Sequence, residues 1–162
     1  MTVVGIGYDV HRFAAGRRLV LGGVEVEHDQ GLAGHSDADV LTHAIIDALL
    51  GAAGQGDIGQ RFPDTDPAWK DADSLELLRT AVAELREGGY TPVHVDATVA
   101  LEEPRLGSAR DAMRTRLAQA LGLPDARVNI KATTGEGLGF VGRVEGAAAV
   151  AVATVQQESV TD

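Results

Sequence analysis

The chain has 162 residues, no cysteine and a formal net charge of −10 at pH 7. This length fits one domain with its own core, and any metal ion must be bound by His, Asp or Glu. The acidic balance argues against nucleic acid as a partner, because such binding depends on Lys and Arg contacts with phosphates. Neither a secretory leader nor a membrane-spanning apolar stretch is recognisable, so we expect no membrane partner and a cytoplasmic location.

The first segment predicts a strand that carries two potential metal ligands. The run TVVGIG is β-branched and glycine-rich, and YDVHRF follows it directly. Residues two apart in a strand share a face, so Asp9 and His11 should project side by side. They are either part of a metal site or a strand-end pair that only forms a hydrogen bond. The next segment, RRLVLGGVEVEH, predicts a hairpin around Gly22 and Gly23.

The segment GLAGHSDADVLTHAIIDALLGAAG predicts the first helix. We place its start near Ser36, with Ser36 or Asp37 as the N-cap, and its end at Gly51 or Gly54. The apolar face of this helix is predicted to consist of Val40, Leu41, Ala44, Ile45, Ala48 and Leu49.

Three polar residues, Asp39, His43 and Asp47, lie opposite that apolar face at a spacing of four. They form either a solvated stripe or a site in which His43 binds a metal. With Asp9 and His11, His43 would complete three protein ligands and leave a fourth position open, as in catalytic zinc sites. Exposed N–H groups at the helix start would also attract a phosphate, with His35 as a further donor.

The segment at residues 54–73 has no periodicity and is rich in Gly, Asp and Pro, so we interpret it as a loop. Its carboxylates are Asp57, Asp64 and Asp66. They are either solvated turn formers or partners for ribose hydroxyls, and long loops without secondary structure are often functional.

The second half of the chain alternates between helices and strands. Helices are predicted at residues 73–89, with Asp73 and Glu76 as a capping box, and at 108–122. Strands are predicted at 90–101, 127–133 and 144–157. We therefore expect a single α/β (α+β) domain spanning residues 1–162, with a mixed β-sheet covered on one face by helices and the other face available for assembly.

The turn KATTGEGLGF follows a predicted strand and carries two hydroxyls and one carboxylate. Thr133 and Thr134 are placed to bond phosphate oxygens, and Glu136 is a potential Mg²⁺ ligand. The alternative is a tight turn with incidental polar residues. The chain has no Walker-type loop or dinucleotide fingerprint.

Taken together, the motifs resemble those of the 2-C-methyl-D-erythritol 2,4-cyclodiphosphate synthase family. They are DVH, HSDADVLTHAIIDALLGAAGQGDIGQRFPDTDP, KATTGEGLGF, and the pairs Gly142-Arg143 and Glu145-Gly146. The resemblance runs from about residue 4 to the last strand. It implies a ferredoxin-like subunit that assembles as a homotrimer with active sites between neighbours. It also implies the conversion of 4-diphosphocytidyl-2-C-methyl-D-erythritol 2-phosphate into the cyclic diphosphate, with release of CMP, in the non-mevalonate isoprenoid pathway.

The resemblance further implies roles for individual residues. Asp9, His11 and His43 match the ligands of Zn²⁺ or another divalent cation, and Glu136 matches the ligand of a Mg²⁺ or Mn²⁺ that bridges the diphosphate. His35 and Thr134 match catalytic positions. The matching substrate contacts are Ser36, Asp57, Ile58, Gly59, Phe62, Pro63, Asp64, Thr65, Asp66, Arg105, Leu106, Thr133, Gly135, Phe140 and Arg143.

The chain departs from the family pattern at two positions. Arg105 stands where the family usually has lysine in the cytosine pocket, and Arg is planar and bulkier. Gly135 replaces a larger residue, so a side-chain contact is absent there. Arg143 and Glu145 match residues at the trimer axis, where relatives can hold a prenyl diphosphate.

Two alternative functions use the same features. A metal-dependent phosphohydrolase would place water in the open metal position. A non-catalytic trimeric nucleotide-binding module would explain the fold and the assembly but would not need a metal ion.

Overall fold

The computed structural model describes residues 1–158, and the predicted domain end at residue 162 lies outside this range. The helices are α1 (Val40–Ala52), α2 (Ile58–Arg61), α3 (Ser74–Glu87), α4 (Ala109–Leu121) and α5 (Gly139–Gly142). The strands are β1 (Thr2–Ala15), β2 (Leu19–Leu21), β3 (Val24–Val26), β4 (Gln30–Leu32), β5 (Tyr90–Ala100), β6 (Val128–Thr133) and β7 (Gly146–Gln157).

Five strands form a mixed sheet in the order β4-β1-β7-β5-β6. β5 and β6 run parallel, whereas β1 and β7 pair antiparallel over their length, from Thr2 opposite Gln156 to Arg12 opposite Gly146. β2 and β3 form the predicted hairpin as a separate two-stranded sheet. The mixed sheet is therefore confirmed.

The helices cover one face of this sheet. In β7 the small residues Ala147, Ala149, Ala151 and Ala153 are buried beneath α1. The opposite face exposes six large apolar or aromatic side chains: Val4, Ile6, Tyr8, Val10, Val150 and Val152. The prediction of a single α+β domain with helices on one face is confirmed.

Two glycines of β1 allow α1 to lie close to the sheet. A Cβ atom at Gly7 would be 1.9 Å from the carbonyl oxygen of Ala44, and one at Gly5 would be 2.1 Å from that of Ala48. Any larger residue would force the helix away. The glycines therefore bring α1 next to the β1 residues that carry the predicted metal ligands.

The predicted start of the first helix was wrong by several residues. α1 begins at Val40, and its N-cap is Asp39, which accepts the Thr42 N–H at 3.0 Å and the Thr42 hydroxyl at 2.7 Å. The same carboxylate also accepts the N–H groups of Gly22 and Gly23. Burial raises the pKa of Asp39. Asp39 thus anchors the hairpin to the helix start, which local sequence cannot reveal.

Of the two alternatives for Asp39, His43 and Asp47, the solvated stripe was wrong. Asp39 is fully buried and His43 is 8% exposed, and most of α1 is enclosed on all sides. Asp47 is half-buried and accepts the Ile58 N–H at 2.7 Å. The helix packs between the sheet and the segments that follow it, so even its polar positions contact protein.

Other local predictions were partly right. Asp73 caps α3 through the Leu75 N–H at 2.8 Å, but Glu76 pairs with Arg79, so the reciprocal capping box does not form. The segment at residues 54–73 is not structureless, since it contains α2 and a 3₁₀ turn at Pro67–Trp69. Strand β4 was missed because its sequence, QGL, has no β-branched residue and no alternating pattern.

The helix at residues 109–121 and its end at Gly122, with φ +69°, agree with the prediction. Within residues 1–158, no helix combines the length and the apolar composition needed to cross a bilayer.

Candidate metal centre and substrate site

Three side chains converge where β1 faces α1. Asp9 Oδ2 lies 2.9 Å from His11 Nε2 and 3.1 Å from His43 Nδ1, and the two imidazole nitrogens lie 3.2 Å apart. Asp9 and His11 share a face of β1, as predicted from their spacing, and His43 points at them from the first turn of α1. The predicted group of three potential ligands is therefore present.

Hydrogen bonds behind the two imidazoles determine which ring nitrogen is free. His11 Nδ1 lies 2.8 Å from the carbonyl oxygen of Ala33, which can only accept, so Nδ1 carries the proton. When the ring is neutral, as a metal ligand must be, the lone pair of His11 is then on Nε2, the atom that faces Asp9. A backbone carbonyl is a common partner for the non-coordinating nitrogen of a metal-binding histidine.

The second imidazole is oriented by a longer chain of hydrogen bonds. His43 Nε2 lies 2.8 Å from the hydroxyl of Ser74, and Ser74 donates its own proton to Asp37. Because that proton is used, the Ser74 oxygen accepts from His43 Nε2–H. The lone pair of His43 therefore lies on Nδ1. When both rings are neutral, two nitrogen lone pairs and one carboxylate oxygen face a common point, which fits a divalent cation.

Without a metal ion, protons on the imidazoles can link the same three side chains through hydrogen bonds to Asp9. Burial raises the pKa of Asp9, but the hydrogen bonds and positive charge of protonated His11 and His43 together outweigh burial and lower the pKa from 3.8 to about 2. Burial lowers the pKa of His11, but the hydrogen bond and negative charge of Asp9, with smaller contributions from the Ala33 carbonyl and Asp39, together raise the net pKa above 6.5. The carboxylate is therefore ionised throughout the neutral range and available as a ligand.

A cavity of about 410 Å³ opens above these three residues. The predicted site residues that line it are Asp9, His11, His35, Ser36, His43, Ile58, Gly59, Phe62 and Asp64. Sequence reasoning missed Gly34, Trp69 and Leu77. Trp69 is the only tryptophan of the chain, and its ring packs edge-on against Phe62 at 5.0 Å. A single tryptophan in a Gly- and Pro-rich segment could have indicated from the sequence that Trp69 lies in a binding site.

The predicted phosphate site at exposed helical N–H groups is not formed as expected. Three N–H groups before the helix already have partners. The Asp37 N–H donates to the Ala72 carbonyl, the Ala38 N–H to the Ser36 hydroxyl, and the Asp39 N–H to the Asp37 carboxylate. A phosphate in this cavity therefore cannot use these three N–H groups, whereas the side chains of His35 and Ser36 line the cavity. The Ser36 hydroxyl also lies 3.1 Å from His43 Nε2.

The carboxylates of the following segment mostly cap local structure. Asp57 caps α2 through the Gln60 N–H at 2.9 Å, and Asp66 caps the 3₁₀ turn through the Ala68 N–H at 2.9 Å. His35 Nε2 lies 3.1 Å from the Asp66 carbonyl oxygen, which ties this segment to the cavity. Of the predicted contacts here, Asp57, Pro63, Thr65 and Asp66 are not among the residues that line the cavity.

A second cavity of about 330 Å³ lies at the carboxyl ends of β5 and β6. Four predicted contacts line it: Arg105, Leu106, Thr133 and Thr134. Glu102 and Arg110 also line it and were missed. The parallel pairing of β5 with β6 brings these two segments together.

The remaining predicted residues follow β6. Glu136 has a left-handed backbone, with φ +52°, and its carboxylate accepts the Thr134 hydroxyl at 3.2 Å. Gly135 is tightly enclosed, since a Cβ there would be 2.7 Å from the Gly142 nitrogen. Phe140 lies in α5, and Arg143 forms an exposed ion pair with Glu145 at 2.8 Å. None of these residues lines the metal cavity of the same chain.

The fold and the site together define a single-domain α+β protein with a carboxylate–imidazole group suited to a divalent cation. The sequence profile of the YgbB family matches residues 2–156. The chain is 61% identical over 153 residues to the 2-C-methyl-D-erythritol 2,4-cyclodiphosphate synthase of Salinibacter ruber, covering 94% of this chain and 98% of that one. The chain therefore belongs to the YgbB family.

Solved structures show the same fold. The bifunctional IspDF of Campylobacter jejuni superimposes with a TM-score of 0.93 at 43% identity, covering 98% of this chain and 43% of that one. A 2C-methyl-D-erythritol-2,4-cyclodiphosphate synthase in its CDP-bound form gives a TM-score of 0.87 at 37% identity, covering 94% of this chain and 99% of that one.

Proposed function

We propose that this chain is a metal-dependent lyase of the non-mevalonate isoprenoid pathway. It cyclises 4-diphosphocytidyl-2-C-methyl-D-erythritol 2-phosphate to 2-C-methyl-D-erythritol 2,4-cyclodiphosphate and releases CMP. Its similarity to a curated synthase covers nearly the whole of both chains. The observation that carries the proposal is the convergence of Asp9 Oδ2, His11 Nε2 and His43 Nδ1 at the base of a cavity, with both imidazoles oriented from behind.

The reaction sets an electrostatic problem for this protein. An oxygen of the 2-phosphate must attack the β-phosphorus, forming one P–O bond as the bond to the CMP oxygen breaks. Two anionic groups must therefore meet on a protein of net charge −10. A divalent cation held by Asp9, His11 and His43 would supply positive charge that attracts the phosphate and stabilises the developing charge. The attacking phosphate is already ionised near pH 7, so a general base is not required.

The residues of the chain position the substrate. His35 and Ser36 line the metal cavity and would bind the erythritol phosphate end. Ile58 and Gly59 line the same cavity, next to Asp57, on the side we assign to the ribose. Because the reaction is intramolecular, holding the two phosphate groups in line supplies much of the rate.

We assign the cytosine and the diphosphate to the second cavity. Its lining includes Arg105, Leu106 and the two threonines that follow one another at the end of β6. Glu136 lies next to Thr134 and would hold Mg²⁺ or Mn²⁺ on the diphosphate. The CDP-bound form of a solved relative supports a nucleotide of this type.

We further propose a homotrimer of ferredoxin-like subunits. The metal group and the predicted nucleotide residues line separate cavities of one chain, so a complete site would combine the metal cavity of one subunit with the second cavity of its neighbour. The exposed apolar face of the sheet supplies a surface for such an assembly. A cytoplasmic location stays a prediction from the sequence.

The test is incubation of the purified protein with the cytidyl substrate and Mg²⁺, followed by phosphorus NMR. We expect CMP and a cyclic diphosphate in equal amounts, loss of both after chelation, and recovery on adding Zn²⁺ together with Mg²⁺. Linear phosphate products would instead establish a phosphohydrolase. Binding without turnover, unaffected by chelation, would establish a nucleotide-binding module.

A control variant distinguishes loss of a metal ligand from the general effect of replacing a histidine. His43→Ala should release no CMP and should bind no tight zinc, whereas His28→Ala should behave as wild type, because His28 packs against Phe13 rather than lining the metal cavity. Full activity of metal-free His43→Ala would contradict the metal assignment.

A further inference from the structure

The carboxylate of Glu102 spans the turn that follows β6. Its Oε2 accepts the Gly135 N–H at 2.8 Å, and its Oε1 accepts the Gly137 N–H at 3.3 Å. Glu102 lies just past the end of β5, and the turn begins just past the end of β6. Since β5 and β6 are parallel and Ala100 pairs with Thr133, the carboxylate and the turn meet at the same edge of the sheet.

The turn that Glu102 contacts has an unusual backbone. Glu136 has φ +52° and Gly137 has φ +74°, so two successive residues are left-handed. A non-glycine residue adopts this region only when surrounding contacts hold it there. The remaining hydrogen bonds to Glu136 are local, through the Thr134 hydroxyl at 3.2 and 3.3 Å. Glu102 supplies the contact from outside the turn.

The hydrogen bonds of Glu102 also determine what the turn can offer to a ligand. Successive N–H groups in a left-handed turn form a concave anion-binding site. Here the protein's own carboxylate fills that site, so Gly135 and Gly137 cannot donate to a phosphate. The polar side chains of the turn, namely the threonine hydroxyls and the Glu136 carboxylate, make hydrogen bonds only within the turn and are exposed, so they can be offered to a ligand.

We infer that Glu102 is a positioning residue: its carboxylate occupies the two N–H groups of the turn and thereby holds Thr134 and Glu136 in place for the Mg²⁺-bound diphosphate of the nucleotide. This inference rests on the proposed function, because it assigns the diphosphate to this turn. Glu102 need not touch the reacting atoms. It acts through the backbone of residues 135–137, and its own side chain lines the adjacent cavity.

The experiment compares Glu102→Ala and Glu102→Gln with the matched control Glu103→Ala. Glu103 is the next residue, is exposed, and makes no side-chain hydrogen bond within the described chain. The first readout is the ¹⁵N–¹H spectrum. In Glu102→Ala, we expect the Gly135 and Gly137 amide signals to move upfield. In Glu102→Gln, one of the two signals should return to its wild-type position, and in Glu103→Ala both should remain at their wild-type positions.

The second readout is calorimetric titration with CDP in the presence of Mg²⁺. We expect about a tenfold loss of affinity in Glu102→Ala, as for removal of a charged hydrogen-bond partner, and partial recovery in Glu102→Gln. Zinc content and the midpoint of thermal unfolding should stay at wild-type values, because the metal ligands and the core are not touched. A general loss of structure would change all three quantities together.

The outcomes separate this inference from the proposed function. Wild-type CDP affinity together with unmoved glycine signals in Glu102→Ala would overturn the inference, even if the wild-type protein forms the cyclic product. If Glu102→Ala fails to fold, the same comparison is made with Glu102→Gln. If the wild-type protein releases no CMP, the proposed function fails, whereas the spectra and the CDP titration still decide whether Glu102 holds the turn.

Discussion

The hydroxyl of Ser74 lies 2.8 Å from Nε2 of His43, on the opposite side of the ring from the Nδ1 atom that faces Asp9. Ser74 is fully buried at the start of α3. Since Ser74 donates its own proton to Asp37, it can only accept from the imidazole, and the metal-facing nitrogen keeps its lone pair. A residue 31 positions away thus sets the tautomer of a predicted ligand.

Ser74→Ala should therefore weaken metal binding without removing a ligand. Outer partners of metal-binding histidines typically contribute about 10- to 100-fold in affinity. We expect a loss in that range, measured by competition with a chromophoric zinc chelator. The control is Ser108→Ala, since Ser108 precedes α4 and makes no side-chain capping bond. Equal zinc affinity in both variants would show that Ser74 does not orient His43.

The metal-free protein should show a defined pH window of stability. The lowered pKa of Asp9 contributes stability above pH 3.8 that is lost as pH falls through about 2. The raised pKa of His11 contributes stability below pH 6.5 that is lost as pH rises through its folded value. Both contributions are present between pH 3.8 and 6.5.

The measurement is urea unfolding of chelator-treated wild type and Asp9→Asn at three pH values. The free energy of unfolding should differ most near pH 5, by at most about 2 kcal/mol, and less near pH 2 and pH 8. Asp29→Asn is the control, because this exposed carboxylate has no ion pair within residues 1–158. A difference that does not change with pH would contradict the pairing of Asp9 with His11.

The close approach of α1 to β1 predicts opposite effects of two glycine substitutions. Gly7→Ala would place a Cβ atom 1.9 Å from the Ala44 carbonyl oxygen, so we expect a loss of about 1–3 kcal/mol or more in the free energy of unfolding. The same displacement would separate His43 from Asp9 and reduce zinc affinity.

Gly51→Ala is the matched substitution within α1. Its Cβ atom would meet only the Ile6 carbonyl oxygen, at 3.7 Å, and alanine favours a helix over glycine by about 0.5–1 kcal/mol. We expect unchanged or slightly higher stability by urea unfolding. If both variants unfold like wild type, the helix and strand are not in contact at Gly7.

The assignment of Mg²⁺ to Glu136 predicts a selective defect. Glu136→Gln removes the charge but keeps the shape of the side chain, so the Mg²⁺ concentration for half-maximal CMP release should rise and turnover should fall. Zinc content should not change, because Glu136 does not line the metal cavity of its own chain. An unchanged Mg²⁺ titration would count against this role.

The proposal that sites are shared between subunits predicts complementation of two inactive variants. His43→Ala damages the metal cavity and Thr134→Ala damages the second cavity. In a cyclic trimer formed by random equal mixing, each site takes its metal cavity from one subunit and its nucleotide cavity from the neighbour. Each of these two cavities is intact with a probability of one half. Co-expressed trimers should therefore recover up to about a quarter of wild-type activity.

Mass spectrometry must confirm that the co-expressed subunits mix. If mixed trimers are no more active than either parent, each site belongs to one subunit and the shared-site proposal fails. Separately purified variants mixed without subunit exchange serve as the negative control.

The sequence alone determined the features that depend on local periodicity. Asp9 and His11 share a face because strand side chains alternate, and Gly122 ends α4 because it readily adopts a left-handed backbone. Helical spacing offered His43 as a possible third ligand, the motif resemblance selected that alternative, and the geometry agrees with it. The cavities contain many of the predicted contacts because these residues lie in contiguous motifs.

Only the tertiary structure decided the features that depend on contacts between distant segments. The start of α1 is set by Asp39 through hydrogen bonds to the hairpin at Gly22 and Gly23, and not by Ser36 or Asp37 before it. The orientation of His43 depends on Ser74, and the turn at Gly135 depends on Glu102. A hydrogen bond requires that two groups meet within about 3 Å, and residues far apart in sequence meet only where the packed chain brings them together.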